Sequence, residues 1–307
     1  MNPVSSQPRR TWTEKAVVRI PYVWLLVFFV LPLAMLLRIS LSQPARAQPP
    51  YAPVFDLTAG WHGITTFFDG LSLDNYRLLG SDPLYLVALL KSVQIAAFAT
   101  LLLLLIGYPI AYGITRMPRR ARAVLIALVM VPLWTAPLIR TYAWMSILRP
   151  DGSLNWLLLT LHIVATPPLW LTTDAAIYIG IVYSHLPLMV LPLYATLQKI
   201  DERLIEAAAD LGCPRWRIFW QVTLPLSAPG VLAGALLCFI PAVGEFIVPD
   251  LLGSLQTPMI GQIIWNAFFA NVDWPAAAAV AAALFAFLVA PLAIFLHQTM
   301  RAVERAR

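Results

Sequence analysis

Apolar residues in this chain come in long runs that contain no Asp, Glu, Lys or Arg, divided by short charged segments. Four such runs, residues 92–115, 175–198, 218–244 and 274–300, reach the roughly 20 residues that a helix needs to cross a bilayer. Residues 20–37 form a slightly shorter run between Arg19 and Arg38, and 123–139 is broken by Arg140 but resumes over 141–148. The pattern predicts six transmembrane helices. Two further uncharged stretches read less well as spans. Residues 153–173 contain Pro167, Pro168 and several threonines, and 251–272 contain Gly253, Ser254, Gln256, Thr257, Pro258, Gly261, Gln262 and Asn266. Prolines also interrupt the runs themselves, at Pro109, Pro132, Pro137, Pro187, Pro192, Pro241 and Pro291. Each removes a backbone hydrogen bond, which lipid tolerates only where neighbouring groups satisfy the freed carbonyl.

Charge settles the number of spans and their direction. With six spans and the N-terminus inside, 15 of the 21 basic residues fall on the cytoplasmic side: Arg9, Arg10, Lys15 and Arg19; Arg116, Arg119, Arg120 and Arg122; Lys199, Arg203, Arg215 and Arg217; Arg301, Arg305 and Arg307. Eight spans would move the 199–217 group outside, against the positive-inside rule. Nine of the 15 acids, Asp56, Asp69, Asp74, Asp82, Asp151, Asp174, Glu245, Asp250 and Asp273, fall outside or near the outer ends of spans. The expected organisation is a cytoplasmic segment 1–19, a first span 20–41 and a periplasmic loop 42–83. A core of five spans follows at 84–300, carrying a cytoplasmic loop 199–225, and the tail is 301–307. Ala45-Arg46-Ala47 resembles a signal-peptidase site, but the apolar run before it exceeds the ~7–15 residues of a signal peptide, so the first helix is expected to be retained.

Composition agrees and excludes other classes. Sixty per cent of the 307 residues are hydrophobic and 12% charged, against about 45–50% and 25% in soluble domains, so lipid must cover part of the surface. Cys213 and Cys238 make no disulfide framework, and His62, His162, His185 and His297 offer no zinc-binding helical pair. No metal site is expected. A net charge of +6, scattered along the chain, does not suggest nucleic acid. None of the three lysines, Lys15, Lys91 and Lys199, follows a glycine, so a phosphate-binding loop of the Gly-Lys-Ser/Thr type is absent.

The loop 199–225 carries the most information. Asp201 can cap a short helix, Glu202 and Glu206 lie toward its positive end, and Gly212 followed by Pro214 can end it. Leu204, Ile205, Ala208 and Leu211 are expected to share one face. Such a helix either rests on lipid headgroups or, with the small patch Ala207-Ala208-Ala209, receives a partner. Glu206-Ala207-Ala208, then Gly212, then Val222, Leu224 and Pro225 keep the spacing of the signature loop of ABC importer permeases, with Val222 where isoleucine is usual. Further segments resemble the polyamine (spermidine/putrescine) branch, nearest the putrescine permeases. They are Pro132-Leu133-Trp134-Thr135, Ile139-Arg140-Thr141-Tyr142-Ala143-Trp144, Gly152-Ser153-Leu154-Asn155, the run from Pro241 through Gly253, Met259-Ile260-Gly261 and Asp273-Trp274-Pro275.

That resemblance implies an all-α integral membrane protein of the type I ABC importer permease fold. It implies partnership with a second homologous permease, two ATPase subunits that bind ATP and Mg, and a periplasmic substrate-binding protein. Glu206, Ala207, Ala208, Gly212, Leu224 and Pro225 would then couple the chain to the ATPase, driving alternating access, and the chain itself would be no enzyme and hold no cofactor. A polyamine path needs carboxylates and aromatic faces. The candidates are Glu245, Asp250 and Asp273 with Trp134, Tyr142, Trp144, Trp265 and Trp274. Arg140 is expected to meet a carboxylate such as Glu245, or the second subunit. Two alternatives stand beside this: an importer of another small solute (ferric ion, thiamine or an opine-like compound), and a self-sufficient ion-coupled carrier.

Overall fold

A helix closes its backbone hydrogen bonds within one segment, which is why apolar runs in lipid adopt it. The computed structural model of the protein describes residues 12–54, 60–254 and 258–305 and is helical almost throughout. Arg9, Arg10, Asp56, Gln256, Thr257 and Arg307 lie outside the described residues. In chain order the elements are α1 (Trp12–Leu25), a π-turn (Leu26–Val30), α2 (Leu31–Ser40), β1 (Gln43–Pro44), β2 (Tyr51–Ala52), α3 (Gly60–Asp69) and α4 (Asp74–Ser81). Then come α5 (Pro83–Arg116), α6 (Arg119–Trp134), α7 (Pro137–Leu148), α8 (Ser153–Thr160), α9 (Asp174–Leu197) and α10 (Glu202–Asp210). The remainder is α11 (Arg215–Ile218), a second π-turn (Phe219–Thr223), α12 (Leu224–Val243), α13 (Ile247–Leu252), α14 (Ile260–Trp265), a third π-turn (Asn266–Ala270) and α15 (Trp274–Arg305). The chain divides into two compact units, one made of residues 1–81 and 266–307, the other of 82–265.

In the first unit α15 packs along α2 and α4. The alanine-rich start of α15 is buried from Ala276 to Val280. The last carbonyls of α2 and the turn after it lack helical partners, and Asn75 supplies them: its amide donates to Ser40 O at 2.9 Å and Ser42 O at 2.8 Å. Ser40 Oγ and the Tyr76 hydroxyl share a further bond of 2.7 Å. The Arg38 guanidinium lies over the rings of Phe67 and Tyr51 and donates to Pro53 O, which fixes the β1–β2 hairpin and α3 around one cation.

The second unit is built on α5, α9 and α12. Small residues set their approach. A Cβ at Gly234 would stand 2.8 Å from the Met189 sulfur, and one at Gly230 2.6 Å from Thr196 Oγ1 and 2.9 Å from Pro192 O. Tyr108 and Ser227 join α5 to α12 at 2.9 Å inside the core.

Four helices have the length and composition of a span: Arg19–Ser40, Pro83–Arg116, Asp174–Leu197 and Arg215–Val243. The expected span over 123–148 is corrected to a broken one, because α6 and the segment Pro137–Thr160 meet at 93°. Pro137 forces Ala136 into an extended conformation, and Thr135 is extended as well. The bent pair makes a fifth span when counted as one. The sixth expected span falls on α15, 32 residues long or about 48 Å at ~1.5 Å per residue, whose side chains are described as far as Ala290. The two poorer stretches are not spans. Residues 153–173 fold as the 8-residue α8 and a loop, organised by buried Asn155, which donates to three carbonyls and accepts from Trp170 Nε1. Of residues 251–272, those described hold the end of α13, the short helix Ile260–Ala270 and turns.

The Gly230 contact makes a sign-reversing test. Gly230→Ala should destabilise the protein by about 1–3 kcal/mol through overpacking. Gly113→Ala, where a Cβ meets nothing within 4 Å, should stabilise it by up to about 1 kcal/mol. Thermal melts in detergent read both.

Candidate functional site

Two places in the second unit collect the residues that the sequence singles out. The first is α10. Asp201 Oδ1 accepts from Arg203 N at 3.0 Å, capping the helix as its position predicts. At the other end Gly212 takes φ +78°. Its N–H donates to Ala209 O at 2.9 Å, and that of Cys213 to Ala208 O at 3.1 Å, the paired bonds of a Schellman ending. No residue of this helix is buried. The expected common face is divided: Ile205 and Ala208 turn partly inward, while Leu204 and Leu211 are exposed, Leu211 at 85%. Glu206 and Ala207 are exposed too. The helix therefore presents a capped, rigid ridge of Leu204, Glu206, Ala207 and Leu211 that the described chain leaves uncovered.

The ridge leads directly into a long helix. Pro214 opens α11, and Trp216 and Trp220 follow, both more than 60% exposed, with Arg217 over the Trp216 ring. Tryptophan and arginine gather where a helix enters the bilayer surface. Leu224 and Pro225 sit just past the second π-turn, where Leu224 N–H reaches back to Phe219 O. In an unbroken α-helix the Pro225 ring would strike the Gln221 carbonyl, and the wider turn relieves that clash. The same device precedes Pro32, where Leu31 N–H bonds Leu26 O.

The second place is the far end of α12. After Val243 the chain turns at Gly244 and Glu245 and folds back as α13. Glu245 Oε1 accepts from Ile247 N at 3.1 Å and Val248 N at 3.5 Å, capping that helix. Its Oε2 has no hydrogen-bond partner among the described residues. The turn is crowded: a Cβ at Gly261 would stand 2.5 Å from Gly244 O and 2.7 Å from Glu245 O, so only glycine lets α14 pack here. Ser92 Oγ accepts from Ile260 N at 2.8 Å and ties that start to α5. Phe246 stacks on Trp265 at 4.4 Å.

Arg140 does not form an ion pair with Glu245. Its Nη1 donates to Pro132 O at 2.6 Å and its Nε is buried without a partner. Both charges act on His185, a 6%-exposed histidine whose Nδ1 bonds Ile181 O at 3.0 Å. His185 is the residue that sequence reasoning missed, its one signal being an imidazole alone inside an uncharged run. The other candidates disperse. Trp144 meets Tyr183 edge-on at 5.5 Å. Trp134 and Tyr142 are exposed at 73% and 51%, and Asp250 is exposed in the first turn of α13. Asp273 belongs to the first unit, where its Oδ1 accepts from Ala276 N at 3.1 Å and caps α15. Trp274 lies there as well, stacked on Phe268 at 4.9 Å.

Comparison with known proteins places this arrangement. The chain matches the family of binding-protein-dependent transport system inner membrane components over residues 104–306. It is 44% identical over 209 residues to the spermidine/putrescine transport system permease protein PotB of Escherichia coli (strain K12), covering 68% of this chain and 75% of that protein. To PotB of Haemophilus influenzae it is 36% identical over 284 residues, 92% of each. Among solved structures it resembles a chain of the bacterial alginate ABC transporter in complex with alginate pentasaccharide-bound periplasmic protein, at a TM-score of 0.66 and 17% identity over 95% of both chains. The chain belongs to the inner membrane components of binding-protein-dependent transport systems, as a permease of the ABC importer type.

Proposed function

We propose that this chain is the permease subunit through which an ATP-driven importer moves polyamines of the spermidine/putrescine kind across the bacterial inner membrane. The observation that carries the reading is the 36% identity to a spermidine/putrescine permease along 92% of both chains. The charge distribution supports cytoplasmic termini, with α10 on the same side. A periplasmic binding protein delivers the cargo, a second permease completes the passage, and two ATPase subunits hold ATP and Mg.

In this reading α10 is the coupling helix. Its exposed Leu204, Glu206, Ala207 and Leu211 receive the ATPase, Ala208 and Gly212 fix its fold, and Leu224 and Pro225 pass its movement into α12. A push on the ridge travels through the single turn of α11 and the π-turn, and so drives alternating access. At the opposite end Glu245 supplies the negative charge. Its Oε1 is engaged by α13, which leaves Oε2 for an ammonium group, with the Phe246–Trp265 stack beside it as a face for the methylene chain. Arg140, held by Pro132 O, sets the positive limit of that region. Asp250 and Asp273, with Trp134, Tyr142 and Trp144, are further pathway candidates.

Two measurements check these assignments. Glu206→Ala with Gly212→Ala removes the ridge carboxylate and sets a side chain at φ +78°, which costs about 1 kcal/mol locally. Putrescine uptake by the complete transporter should fall together with ATPase capture; uptake and capture both at wild-type levels would refute the coupling role. Glu245→Gln keeps the Oε1 acceptor and hence the α13 cap but removes the charge. Labelled putrescine and spermidine uptake should drop about tenfold or more, on the scale of one charge-assisted contact, with subunit assembly unchanged. Uptake at wild-type level would reduce Glu245 to a cap.

A further inference from the structure

Beside α10 the second unit has a half-open surface cavity of about 330 Å³. Its wall includes Tyr112, Thr115, Arg116, Arg119, Arg122 and Glu202. Three guanidinium groups face one carboxylate, which leaves an excess of positive charge. The arginines differ in what holds them. Arg122 is committed to the end of α5, donating to Met117 O and Thr115 O at 2.6 Å each. Arg116 donates to the Tyr112 hydroxyl at 3.0 Å, lies over that ring, and meets Glu202 Oε1 at 3.6 Å. Among the described residues the Arg119 guanidinium has no hydrogen-bond or ion-pair partner.

The backbone adds to the same imbalance. The N-terminus of α6 opens at this cavity, and that end of a helix dipole favours negative charge. Here its first turn carries Arg119, Arg120 and Arg122, has no acid, and is capped by no side chain. A concave, polar-walled space that gathers several N–H donors from different sides matches a multi-acceptor anion better than a single carboxylate.

The geometry points to an anion site for a phosphate mono- or diester group, whose occupancy competes with Glu202 for Arg116 and so loosens the first turn of α10 from α5. The Arg116–Glu202 pair is exposed and long, the kind that contributes little and yields readily. The regulatory half of the inference rests on α10 being the coupling helix; the binding half does not. One chemistry here has two sources, a free phosphate in the cytoplasm or the headgroup of an anionic phospholipid, since basic pockets near the cytoplasmic membrane surface suit both.

The test uses the complete transporter, and binding is read apart from transport. Phosphorus NMR of the detergent-solubilised complex follows inorganic phosphate at matched ionic strength. The wild type should broaden the signal. Arg119→Gln should weaken binding about tenfold, by the loss of one charged donor. Glu202→Gln, which frees Arg116, should tighten it a few-fold. Arg120→Gln, outside the cavity wall, should leave it unchanged. The second arm compares binding-protein-stimulated ATP hydrolysis in vesicles of phosphatidylcholine alone, the same vesicles with inorganic phosphate, and equal parts phosphatidylcholine and phosphatidylglycerol. A response to phosphate assigns the soluble source, and a response to phosphatidylglycerol the lipid; either must vanish in Arg119→Gln. Three outcomes overturn the site: no phosphate broadening together with no phosphatidylglycerol response, equal losses in Arg119→Gln and Arg120→Gln, or an Arg119→Gln effect confined to ATPase capture, which would assign the cavity to an acidic segment of the partner. Anion binding without any change in hydrolysis would keep the site and refute the regulation. Loss of polyamine uptake specificity would touch the transport reading alone.

Discussion

A backbone carbonyl surrounded by hydrocarbon must find a donor within the protein, and this chain creates such carbonyls repeatedly by placing proline inside its spans. Much of its architecture answers that demand. The π-turns before Pro32 and Pro225 answer it by shifting the backbone ladder by one residue, with Leu31 N–H bonding Leu26 O and Leu224 N–H bonding Phe219 O. At the sharpest break Pro132 O takes Thr135 Oγ1 at 3.0 Å and Arg140 Nη1 at 2.6 Å. The bend between α6 and α7 is therefore stabilised by a charge-assisted hydrogen bond. Close approach of α5, α9 and α12 through Gly107, Gly230 and Gly234 is the second requirement, because helix association in lipid relies on packing and not on the expulsion of water.

The positions of most spans were legible because uncharged length alone defines them. The start and stop of α10 were legible because Asp201 and Gly212 each solve a local problem, an unpaired amide and a left-handed turn. The break in 123–148 carried its signal in Pro132 and Pro137, but hydropathy averages across a bend and cannot see its angle. Arg140 misled for a related reason. A charge in an apolar run suggests a carboxylate partner, whereas a freed carbonyl serves a guanidinium as well.

The candidate passage was less readable than the ridge. Glu245 stood out as an ionisable group ending a long uncharged run, but its neighbours come from separate elements: His185 from α9, Phe246 from the turn after α12 and Trp265 from α14. Only the fold brings these together. Asp273 caps α15 much as Glu245 caps α13, an ordinary use of an acid at a helix start, so the cap alone does not set the two apart.

The π-turn before Pro225 has a mechanical corollary. It stores one residue more than an α-helical turn needs. Were that residue fed into or out of the regular coil, the segment beyond would swivel by about 100° and advance about 1.5 Å. No side chain would have to leave its helix and no amide would be stranded in lipid. The stretch joining the exposed ridge to the glycine-lined contacts of α12 would then turn a small tug at one end into rotation at the other.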